Sequence, residues 1–170
     1  MNAVWIGFDR YIDISKIHNF IKKEFGIKNC YKVDSNSIGL LLKRLGLNDI
    51  TENENIVFYE IKENNSEFPL VIEFLYLKDL PIEMKINIYI AHKLSILFKC
   101  KTITDGAGFG DDNSEYWDII FDKGIAYLAD DLETLFYGDG DKKLKILRKI
   151  DVCNLFWRKQ KYRRYFILGH

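Results

Sequence analysis

The sequence predicts an α/β chain of the α+β kind. It expects a single domain over residues 1–170, with a mixed, largely antiparallel sheet and several packed helices. Three observations predict this. Hydrophobic residues make up 48 % of the 170 residues, enough for one core at a length usual for one domain. Short runs of β-branched and aromatic residues alternate with stretches where apolar residues recur every three or four positions. Two pairs of strand-like runs are joined by connections of hairpin length, which favours antiparallel pairing.

Ala3–Phe8 (AVWIGF) reads as a short strand, rich in β-formers. Asp13 then suits a helix N-cap, although Lys16 stands where a capping box would place Glu. Ile14, Ile17, Phe20, Ile21 and Phe25 form one helical face, and Gly26 is a stop signal. A second helix is expected over Ser35–Leu45, with Ile38, Leu41, Leu42 and Leu45 as its apolar face and Gly46 after it. Residues 48–55 (NDITENEN) read as a loop.

Ile56–Ile61 and Pro69–Leu77 are strand candidates, joined by KENNSEF with its turn-forming Asn and Ser. Pro81 suits the first turn of a helix running to about Lys99. That helix is apolar around most of its circumference, as expected of one packed centrally on a sheet. Thr102–Thr104, Tyr116–Phe121 and Ile125–Leu128 read as strands, the last two joined by Asp122-Lys123-Gly124. Leu144–Ile150 alternates apolar and basic residues and suits either an edge strand or a short helix. Residues 156–167 are basic and aromatic.

Several classes are disfavoured. An aromatic content of 15 % with only two Pro is not the composition of a disordered chain. Cys30, Cys100 and Cys153 are odd in number and widely spaced, with no CxxC pair for zinc or redox work. They read as small buried hydrophobes in a reducing compartment. The N-terminus carries charge by Asp9 and Arg10 and does not read as a signal peptide. The longest apolar tract, Ile82–Phe98, is interrupted by Glu83, Lys85, His92 and Lys93 and falls short of the ~20 residues of a membrane span. The expectation is a soluble cytoplasmic protein without membrane contact.

The 25 Lys+Arg balance the 25 Asp+Glu, but by position they do not. Residues 1–104 carry net +1, residues 105–141 net −10, and residues 142–170 net +9. Blocks of one sign are either solvated, neutralised by each other, or used by a partner. The acidic block suits a basic partner. The tail FWRKQKYRRYF suits nucleic acid, although the neighbouring acidic block weakens that attraction.

No catalytic motif stands out. The Asp105–Asp112 loop has three alternating Gly but lacks the P-loop spacing and its Lys-Ser/Thr, and its carboxylates would repel phosphate. Asp105, Asp111, Asp112 and Asn113 offer oxygen ligands, but not in an EF-hand pattern. His18, His92 and His170 have no second ligand at metal spacing. The chain is therefore expected to be a non-enzyme with no cofactor and no resident metal. In the strand Tyr116–Phe121, Trp117, Ile119 and Phe121 form the natural core face. Tyr116 and Asp118 are expected to point outward, an aromatic beside a carboxylate, as at interfaces.

The stretch AHKLSILFKCKTITDGAGFGDDNSEYWDIIFDKGIAYLADD reads as helix, short strand, acidic Gly-rich loop, hairpin and acidic turn. It resembles, over about residues 82–131, the immunity proteins of contact-dependent growth inhibition systems, small bacterial proteins encoded beside polymorphic toxins. The resemblance implies a non-enzymatic inhibitor that binds its cognate toxin domain and occludes the active site. Toxin nucleases are often basic because they hold phosphates, so an acidic surface would steer association. The expected partner-binding residues are Asp105, Asp111, Asp112, Glu115, Tyr116, Asp118, Asp130, Asp131 and Glu133. The alternatives are a nucleic-acid-binding protein using the basic tail and a metal-dependent hydrolase using the Asp105–Asp112 loop.

Overall fold

The run AVWIGF forms strand β1 (Ala3–Phe8) at the middle of the sheet, where its two faces meet different layers. Val4, Ile6 and Phe8 point to a helical layer, and Trp5 and Gly7 to the opposite face. The computed structural model describes residues 3–34, 37–49, 55–75, 85–112 and 116–152. Helix α1 (Ile14–Phe25) starts at Asp13, whose carboxylate accepts a hydrogen bond from the Ser15 amide at 2.9 Å, and stops at left-handed Gly26. β2 (Asn29–Lys32) and α2 (Ile38–Leu45) follow, then β3 (Ile56–Glu63), β4 (Leu70–Leu75) and α3 (Ile86–Phe98). β5 (Lys101–Asp105), β6 (Trp117–Asp122), β7 (Ile125–Asp130) and β8 (Lys145–Lys149) complete the described elements.

Among the described residues the strands form one eight-stranded sheet in the order β2-β3-β4-β1-β5-β6-β7-β8. β2 and β3 are parallel, and every other neighbouring pair is antiparallel. With three helices, this is the expected α+β class.

α1 and α3 cover one face. Ile17 and Ile21 of α1 and Ile88, Ile90, Ala91 and Leu94 of α3 pack on Ile6, Phe8, Ile72, Phe74, Ile119 and Phe121. The Thr102 hydroxyl donates to the Ala91 carbonyl at 2.9 Å and ties α3 to β5. α2 packs on the opposite face near the β2 edge, with Leu41, Leu42 and Leu45 against Ile56 and Phe58. Farther along that face, residues 131–144 fold back over β1, β5 and β6. Phe136 inserts there against Phe68, Ile103 and Trp5. Burying one such aromatic contributes ~1.5–3 kcal/mol. Gly7 makes room for it. A Cβ at this position would lie 2.5 Å from Ile103 Cγ2 and 3.3 Å from the Phe136 ring.

The structure departs from the sequence expectations in several places. β2 is not expected: NCYK is short and without alternation, and only its parallel pairing with β3 makes it a strand. Asp122-Lys123-Gly124 closes as a two-residue hairpin. Asp122 pairs with Ile125, and Lys123 and Gly124 take φ of 49° and 91°, the positive values of a type I′ turn. Leu144–Ile150 resolves to the strand β8, exposed along its length, whose Lys145, Arg148 and Lys149 guard the sheet edge. Trp117, expected in the core, is half-buried, and its indole N–H donates to Asp112 at 2.7 Å.

Two expected surface carboxylates are interior. Asp118 and Asp131 are each only 1 % exposed. Outward placement of Asp118 assumes a sheet with one wet face. The 131–144 segment covers that face, so Asp118 and Ile120 are buried as fully as Ile119 and Phe121 on the helical side. The start of the second helix at Ser35, the end of the strand at Leu77, the helix start at Pro81, Glu115, Cys153 and the basic tail all lie outside the described residues.

Candidate partner-binding surface and a buried carboxyl pair

Hairpin topology collects the acidic block at one end of the sheet. β5 ends where β6 begins, with Asp105 opposite Asp118. β6 begins where β7 ends, with Trp117 opposite Asp130. β7 ends where β8 begins, with Asp130 opposite Lys145. Carboxylates separated in sequence thus share one rim.

Asp105, Tyr116 and Asp130 stand on it, Asp112 joins it through Trp117, and Asp111 and Glu133 lie on the segments that leave it. Asp105, Asp111, Asp112, Tyr116 and Glu133 are exposed and Asp130 is half-buried. Three of these acids also shape their own loops. Asp105 accepts from the Ala107 amide at 2.8 Å, Asp112 from the Trp117 indole, and Asp130 from the Leu132 amide at 3.0 Å.

The basic block partly neutralises the acidic one within the molecule. Arg148 of β8 grips Asp111 through two hydrogen bonds of 2.8 and 3.0 Å. Lys142 pairs with Glu133. These partners hold the Asp111 and Glu133 carboxyls below their ordinary pKa. Both pairs are solvent-exposed, so their worth to stability is small and falls with salt.

Sequence reasoning missed several exposed apolar side chains in and beside the segment that follows β7. Leu132, Leu135, Tyr137 and Ile146 are 46 %, 40 %, 51 % and 49 % exposed. The signal was the LETLFY run inside a stretch otherwise read as acidic and Gly-containing. Trp5, Phe136 and Tyr137 also wall an open groove of about 450 Å³, with Lys62, Asn64 and Glu73 among its polar lining. Lys62 is paired with Glu60 and Glu73 there.

Behind the rim lies the buried pair. Among the described residues, both Asp118 carboxylate oxygens and Asp131 Oδ1 are buried without a hydrogen-bond partner, as is the nearby Thr134 hydroxyl. Burial first, and then the neighbouring Asp131 and Asp105 charges, raise the Asp118 pKa well above the ordinary value. Burial also pushes Asp131 up to about 6. Tyr137 is raised as well: its side chain is half exposed, but its hydroxyl end is desolvated and lies in the field of Asp118, Asp131 and Asp105.

Among the described residues no three His, Cys, Asp or Glu side chains converge as a metal-holding group. His18 and His92 pack edge-on against Tyr59 and Phe121, and burial lowers the pKa of both. Cys30 and Cys100 are free thiols, and burial raises Cys100 to about 11. Among the described residues no helix is long and apolar enough to cross a membrane.

No protein-family model matches the chain, and no curated protein or solved structure matches it significantly.

Proposed function

We propose that this chain is an immunity-type protein of the bacterial cytoplasm. It binds a cognate toxin domain, a nuclease, and neutralises it by occluding the active site. The observation that carries this reading is the sheet end where Asp105 and Asp130 gather with Asp112, bonded to Trp117, beside exposed Tyr116, with exposed Leu132 following the buried Asp131. Acidic groups steer a basic partner into place, and exposed apolar side chains supply contact area once it arrives. Asp118 and Asp131, being interior, are not part of this surface.

The test is binding to the toxin domain encoded beside this chain. The charge reversals Asp112→Lys and Asp130→Lys are made singly and together, and association and dissociation are followed at two salt concentrations. The reading expects a slower on-rate in each variant, a shallower salt dependence, and loss of protection in a growth assay. Unchanged on-rate and affinity in the double variant would remove the acidic rim from the interface.

A further inference from the structure

We propose that Asp118 and Asp131 together hold one proton, and that this proton pins the 131–142 segment to the sheet as a pH-sensitive latch. Asp118 projects from β6 toward the face that the segment covers, and Asp131 is the first residue of that segment after β7. Both are 1 % exposed, and three of their four carboxylate oxygens lack a hydrogen-bond partner among the described residues. Among the described residues no lysine or arginine pairs with either.

Two buried carboxylates that no lysine or arginine among the described residues neutralises do not both stay ionised at neighbouring positions. A proton on Asp118 shared with Asp131 removes one charge and supplies the missing donor. The charged groups that face the pair favour retaining it: Asp105 from β5, Asp130 from the end of β7 and Asp139 from the segment itself. The Tyr137 phenol, also near the pair, is uncharged. β7 places Ala129, which carries no charge, opposite Asp118.

The pair sits at the root of the segment. The Asp131 amide donates to the Tyr116 carbonyl at 3.1 Å, and the Thr134 amide to the Asp131 carbonyl at 3.2 Å. Farther along, Asn64 donates to the Phe136 carbonyl at 2.7 Å. Losing the shared proton leaves two buried like charges across the junction between β6 and the segment. Opening the segment then relieves the repulsion by hydrating both. The latch does not depend on the partner reading, because it concerns only how this chain holds its own segment.

The experiment is amide hydrogen exchange of the whole chain from pH 5 to 9, corrected for the intrinsic rate at each pH. The reporter is the Asp131 amide, bonded to the Tyr116 carbonyl across the junction, read beside the Thr134 amide bonded to the Asp131 carbonyl. Opening that releases one proton grows by up to about tenfold per pH unit, so protection should fall on that slope above about pH 6. Asp118→Asn keeps a donor without a charge and should flatten the slope. An infrared band of a protonated carboxylic acid at neutral pH, lost in Asp118→Asn, reads the same proton without relying on a slope. A flat wild-type profile would overturn the latch, and so would a slope retained in Asp118→Asn. A slope abolished by adding Ca²⁺ or Mg²⁺ to the wild type would also overturn it, because the pair would then hold a cation.

Discussion

Asp118 on β6 and Asp131 just beyond β7 face each other in the interior, and among the described residues no lysine or arginine pairs with either. Their folded-state pKa values are raised above those of an unfolded chain, which fixes the sign of the linkage. The stability they contribute is complete below the unfolded carboxyl pKa of about 4. It declines as pH rises through about 6, the Asp131 value, and beyond it toward that of Asp118. Asp9, Asp13, Asp111 and Glu133 have lowered pKa values and act in the opposite sense, with stability lost only as pH falls below about 4. Denaturant unfolding should therefore show greatest stability near pH 4, with a decline as pH rises through about 6. Asp118→Asn should gain relative to wild type as pH rises to 8. A wild-type maximum at or above pH 8 would contradict the raised pair.

Gly7 is the seat of Phe136. Gly7→Ala places a methyl 2.5 Å from Ile103 Cγ2, so either the sheet or the segment must give way. Overpacking of this kind costs ~1–3 kcal/mol. The expected result is a lower denaturation midpoint together with faster exchange of residues 131–138. If only stability changes, Phe136 has adjusted without moving its segment.

Lys123 and Gly124 form the β6–β7 turn with φ of 49° and 91°. A lysine tolerates that left-handed conformation poorly, whereas Asn-Gly is the preferred pair in a type I′ turn. Lys123→Asn should stabilise the chain by ~0.5–1 kcal/mol, measured as an upward shift in thermal midpoint. A downward shift would mean that Lys123 has a role beyond the turn.

Thr102 fastens the central helix to the sheet through its bond to the Ala91 carbonyl. Both residues are buried, so no water replaces that bond. Thr102→Val keeps the shape and removes the donor, at a cost of ~0.5–1.5 kcal/mol. A neutral result would show that the carbonyl is satisfied by the helix alone.

Much of the fold was legible because local rules governed it. The α1 cap and stop at Asp13 and Gly26 were readable from the chain, since capping and left-handed backbone depend on one or two residues. The all-round apolar α3 announced its central place, because a helix without a polar face must be covered. β2 was not legible, because a four-residue strand with no pattern exists only through its neighbour β3.

For the candidate surface, the sequence by itself determined the charge: an acidic block followed by a basic one. The tertiary structure decided which of those charges are surface. Hairpin pairing brought Asp105 and Asp130 to one rim, and Arg148 and Lys142 folded back onto Asp111 and Glu133. It also turned Asp118 and Asp131 inward, because Phe136 draws the segment after β7 across a face that strand alternation alone would leave wet. Charge is a property of each residue, but exposure depends on what packs over it, and here the covering segment is anchored by contacts distant in sequence.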